Sequence, residues 1–221
     1  MGGRGASSGR TSTGGNKSGN INNSKGLDYF ESKGVPIQHD EIKGLNRVLM
    51  DKTLQGVSDT LNEFGLEVSE VTNIGGTDTR GEQAGVNGFN QFSFGRKSYS
   101  DASISDFKKD NYTVNSTAYG VGAHEAGHIV TNVALRNYAS SKGMSKLERS
   151  EMRKSGKFST QIIKEAKKDA GRLTKISQYG SKTSGSKAGE YVAEAVSDYM
   201  TNGKKANPSS VAVVNVLKRY L

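Results

Sequence analysis

Between Asp40 and Phe64 the apolar residues Ile42, Leu45, Val48, Leu49, Leu54, Val57, Leu61 and Phe64 recur at helical spacing, as one buried face of a helix requires. The pattern predicts one long amphipathic helix or two shorter ones, stopped by Gly65. The period then drops to two. Leu66-Glu67-Val68-Ser69-Glu70-Val71 reads as a strand, Gly75-Gly76 through Gly88 as loop, and Phe89–Phe94 as a second strand with Phe92 and Phe94 in the core. Helical spacing returns from about Thr117 to Tyr138, preceded by Asn115-Ser116-Thr117, with apolar residues Val121, Ile129, Val130, Val133 and Leu135 that include a buried stripe. Gly122 and Gly127 each cost that helix about 1 kcal/mol relative to alanine, which implies close approach by another element. Residues 140–175 read as one or two surface helices, the better one from Thr160 to Ala170 behind a Ser159 cap. A helix over Ala188–Met200 and a last one opening at Pro208, with Val211, Val214 and Leu217 facing inward, complete the reading. The class is α+β, mostly helical with a small mixed sheet, and no internal repeat is visible.

Composition changes this picture at the N-terminus. The chain has 221 residues, 33% hydrophobic, with 28 glycines and a mean hydropathy of −0.64, low for a chain that packs throughout. Residues 1–26 are nearly all Gly, Ser, Thr, Asn, Lys and Arg. Such a stretch buries too little apolar surface to offset chain entropy, so it reads as a disordered basic tail ahead of a folded domain over 27–221. No run approaches the roughly 18 apolar residues of a membrane span, and no signal peptide is visible. Location stays open between cytoplasm and virion. The absence of cysteine excludes disulfides and thiolate ligands, so any metal must be held by nitrogen and oxygen.

The formal charge is +9, and residues 140–187 alone account for it, with 13 Lys/Arg against four acids. A solvated face explains such a segment, as does an acidic partner docking there. Nucleic acid is the weaker option, because no aromatic residues interleave with the lysines as a base-stacking surface requires.

His124-Glu125-Ala126-Gly127-His128 carries the chemistry. Two histidines four apart on a helix project from one face, about 6 Å apart along the axis. One zinc ion can take both, which leaves the adjacent glutamate beside a metal-activated water as general base. A catalytic zinc needs a third protein ligand. His39 lies far upstream in a polar stretch and reads as a surface residue. Thr131 and Ala134 stand where an extended three-histidine motif requires Gly and His. A carboxylate must therefore complete the set. Glu190, Glu194 and Asp198 share one helical face amid Tyr191, Val192, Ala193, Ala195 and Val196. Acids so placed require a cation or hydrogen-bond donors, and a zinc ion with a ligand histidine supplies both.

Tyr179-Gly180 followed by Glu190-Tyr191-Val192-Ala193-Glu194-Ala195, downstream of HEAGH, resembles the gluzincins, specifically the catalytic domain of lethal-factor-type toxins and related phage-encoded domains. The likeness covers residues 85–200, with specific motifs at 124–128 and 179–195. Tyr-Gly stands four residues further from the glutamate than in that family, 140–178 has no counterpart, and the Gly-Thr-x-Asp of aspartate-liganded relatives is absent. The resemblance implies a zincin-like fold whose edge strand borders the active-site helix, Zn2+ as cofactor, Glu190 as third ligand and Glu194 as acceptor for a ligand histidine's second N–H. It implies Tyr179 as hydrogen-bond donor to the oxyanion. A thermolysin-like arrangement would instead make Glu194 the ligand and Asp198 its support. The implied activity is zinc-dependent hydrolysis of a protein or peptide. Two other readings stay open: a catalytically silent zincin-like binding domain of a phage or mobile-element protein, and a nucleic-acid binder built on the tail and the 140–187 segment.

Overall fold

The computed structural model describes residues 26–79 and 83–221. Its helices are α1 (Leu27–Ser32), α2 (His39–Ile42), α3 (Arg47–Glu63), α4 (Arg96–Tyr99), α5 (Ala118–Ser141), α6 (Lys146–Lys154), α7 (Lys157–Ala170), α8 (Ala188–Asn202) and α9 (Pro208–Lys218). Between α3 and α4 lie strands β1 (Asn73–Thr77), β2 (Ala84–Val86) and β3 (Gln91–Gly95). The molecule is thus α+β, mostly helical with one small sheet. The basic tail read over 1–26 falls, apart from Gly26, outside the described residues. No helix among the described residues is long and apolar enough to cross a membrane.

The helical period over 40–64 resolves into two elements. Gly44 takes φ 78°, and the Asn46 side chain caps α3 by accepting from the Leu49 amide at 3.2 Å. The strand expected over Leu66–Val71 is instead a 3-10 turn at Val68–Glu70. Val68 and Val71, three apart, share one face of that turn, and both are buried. The segment read as loop from Gly75 contains two strands. β1 pairs with β3 through Gly75-Gly76, and α2 crosses close over it: a Cβ on Gly76 would run into the carbonyl oxygen of Glu41.

The sheet has the order β1-β3-β2, with β1 parallel and β2 antiparallel to β3. Phe92 and Phe94 are in the core, but their strand is the central one. The edge facing α5 is β2.

Thr117 starts α5 by accepting from the Gly120 amide at 3.1 Å. α3 and α8 pack on it through its glycines. A Cβ on Gly122 would meet the carbonyl oxygen of Thr53, and one on Gly127 would lie 2.9 Å from the Ala193 Cα. In the basic segment, α6 opens with a capping box between Ser145 and Glu148. α7 starts earlier than the reading, at Lys157, behind Gly156 with φ 68°. Ser159 is therefore not a cap but a buried position on the inner face, beside Phe158, Ile162, Ile163 and Ala166. α9 begins at Pro208 as read, with the Asn207 side chain capping the Ser209 amide.

Candidate metal centre

α5 presents His124 and His128 to the first turn of α8, where Glu190 sits. Glu190 Oε2 lies 3.2 Å from His124 Nε2 and 3.5 Å from His128 Nε2. These three residues form a group whose ligand atoms all lie within 4.8 Å of one another. Ligands at zinc distances of about 2.05 Å in a tetrahedron are separated by about 3.3 Å, so the two nitrogen–oxygen distances fit zinc. The donor set, two imidazoles and a carboxylate, also suits it. Glu190 stands in the first turn of α8, where the helix dipole favours negative charge.

Behind this group stands Glu194, one turn further along α8 and 1% exposed. Its Oε1 accepts from His124 Nδ1 at 2.8 Å and its Oε2 from the Val114 amide at 2.7 Å. A carboxylate acceptor fixes the proton on Nδ1 and leaves Nε2 aimed at Glu190 and His128. Burial alone would lower the basicity of His124, but Glu190 and Glu194 on its two ring nitrogens outweigh that and push its pKa up to about 10. Burial would raise Glu190, yet the two histidines hold its carboxyl well below the usual carboxylate range. The pocket thus concentrates negative charge that a divalent cation can balance.

The Val114 amide bond ties the 110–116 segment to α8, and that segment in turn holds the turn that contains Tyr179. The Tyr112 carbonyl accepts from the Tyr179 amide at 2.9 Å. Gly180 allows the crossing, since a Cβ there would lie 2.9 Å from the Glu194 Cβ. The Tyr179 ring stands 5.7 Å from that of His124. Burial, then the negative charges of Glu190 and Glu125, push its phenol pKa up, so it remains a donor at neutral pH. Glu125 is 8% exposed and lines two neighbouring cavities of about 460 and 310 Å3, both of which Tyr179 and β2 also border.

The structure brings together His124, Glu125, His128, Tyr179, Glu190 and Glu194. Asp198 stands apart: its carboxylate accepts from the Asn202 side chain at 2.6 Å and the Asn207 amide at 2.7 Å, joining α8 to α9. His39 is exposed and pairs with Glu31 at 3.0 Å. The sequence reading missed the Val114 amide and the edge strand β2. Asn87-Gly88 between Ala84–Val86 and β3 is a hairpin signal that marks β2, whereas nothing local marks an amide that bonds a carboxylate 80 residues away. No family model, curated protein or solved structure matches this chain.

Proposed function

We propose that this chain is a zinc-dependent endopeptidase of zincin-like fold, with the metal held by His124, His128 and Glu190. The supporting observation is their convergence: ligand atoms from α5 and α8, 66 residues apart in the chain, lie 3.2 Å from each other with Glu194 fixing the tautomer behind them. Zinc bound there would polarise the scissile carbonyl and lower the pKa of an adjacent water towards about 7. Glu125 takes a proton from that water as its oxygen bonds to the carbonyl carbon. It returns a proton to the amide nitrogen as the C–N bond breaks. Water is consumed, and a carboxylate and an amine result. Tyr179 donates to the carbonyl oxygen as that atom gains charge, a role worth about 3–4 kcal/mol in other sites. Glu194 holds His124 in the ligating tautomer.

The presence of Glu125 favours catalysis over a silent binding role, because holding a metal does not require it. Purified protein is expected to carry one zinc per chain and to cleave members of a mixed peptide library, with cleavage abolished by chelator. Glu125→Gln should keep the zinc and slow cleavage about 100-fold or more. Wild-type turnover by that variant, or protein that takes up no zinc, would overturn the proposal.

A further inference from the structure

The cleft does not end at the histidines. From His128 it extends along α5 to Thr131 and Asn132, and a second cavity, bordered by Asn132, Leu135 and Arg136, adjoins it there. From His128 to these residues is one to two turns, about 6–12 Å at 1.5 Å per residue. The second cavity is a trough of about 640 Å3. Asn132 and Arg153 line both the cavity at the histidines and the trough, so the two adjoin at these side chains, where Asn132 Nδ2 donates to Asn90 Oδ1 at 2.8 Å.

The far wall is basic. Lys146, Arg149 and Arg153 line the trough from α6, and their spacing of three and four puts them on one helical face. Arg153 reaches across to the β2–β3 turn, where a Cβ on Gly88 would collide with its guanidinium. Glu70, the one acid in the wall, is taken by both prongs of Arg136 at 2.7 and 3.0 Å. No carboxylate among the described residues pairs with Lys146, Arg149 or Arg153.

β2 offers a rail leading there. Gln83 O accepts from the Gly95 amide and the Asn87 amide donates to Gln91 O, so residues 83, 85 and 87 turn their backbone groups towards β3. The antiparallel alternation then aims the amides and carbonyls of Ala84 and Val86 away from β3, at the edge that borders the cleft. An extended peptide pairing with that edge advances about 3.3 Å per residue. It covers the 6–12 Å from the histidines in about two to four residues.

We propose that the trough is a subsite for acidic side chains: the substrate is an extended peptide with Asp or Glu two to four residues from the cleaved bond, bound by Arg149 and Arg153. This rests on the peptidase reading, and the test separates the two. In the full-length Glu125→Gln protein with zinc, anisotropy would compare a fluorescein-labelled decapeptide carrying two glutamates with its glutamine counterpart. The glutamate peptide should bind about tenfold tighter. Arg149→Ala with Arg153→Ala should bring that ratio close to one. Lys164→Ala with Lys168→Ala, which removes equal charge from the exposed face of α7, should leave it intact. Equal binding of the two peptides, equal loss in both double variants, or displacement by oligothymidylate as readily as by the glutamate peptide would each overturn the proposal. Cleavage of both peptides without preference leaves the peptidase and removes the subsite. Selective binding without cleavage by the Glu125 protein leaves the subsite and removes the peptidase.

Discussion

Glu194 shows how one carboxylate can organise a site it does not itself complete. Buried to 1% exposure, it spends one oxygen on His124 and the other on the Val114 amide. It sets both the imidazole tautomer and the position of the strand of chain that supports Tyr179. Glutamine is nearly the same shape but presents one acceptor and an NH2 that clashes with a donor. We expect Glu194→Gln to weaken zinc binding about 10–100-fold, measured by competition with a chromophoric chelator. Unchanged affinity would mean that His124 is oriented by something else. Asp198, four residues on and on the same face, makes the contrast. Its partners are Asn202 and Asn207, so shared periodicity did not imply a shared task.

At the scale of elements, the glycines of α5 trade helix propensity for proximity. Gly122→Ala gains about 1 kcal/mol of intrinsic helix stability. It also drives a methyl into the carbonyl oxygen of Thr53 on α3. Backbone cannot step aside as a flexible side chain can, so we expect the overpacking cost, about 1–3 kcal/mol, to prevail. The variant should melt below wild type in a thermal scan, and a higher melting temperature would show that α3 shifts freely. The same logic accounts for β1. Its glycines make a poor strand in isolation, and α2 lying across them requires that nothing larger stand there.

Across the whole molecule, the candidate centre joins a mid-chain helix to one near the C-terminus, so a metal bound there would link ligation to folding. Free zinc at about 100 times its dissociation constant should stabilise the fold by about 2.7 kcal/mol. In a domain of this size that is a rise of about 5–10 °C in Tm, reversed by chelator. No shift would mean that the three side chains do not bind metal as a unit. The basic excess also takes shape only at this scale. Lys146, Arg149 and Arg153, three of its 13 basic residues, line the trough beside the candidate metal centre, while Lys164, Lys167 and Lys168 face solvent on α7.

Features whose causes act within a few residues were legible along the chain alone. The periods of α5, α8 and α9, the proline entry at 208 and the pairing of His124 with His128 on one face all follow from helix geometry. Whatever depends on a neighbour distant in the chain was set by packing. Gly75-Gly76 is strand because it pairs with Ser93 and Phe94 of β3, and α2 lying over it leaves room for glycine alone. Val68 and Val71 turn inward together because the core is there to receive them. Glu190 and Glu194 meet the histidines while Asp198 does not, because α5 and α8 cross at Gly127 and Ala193. Spacing along one helix names a face; only the crossing of two helices selects which residues on it touch.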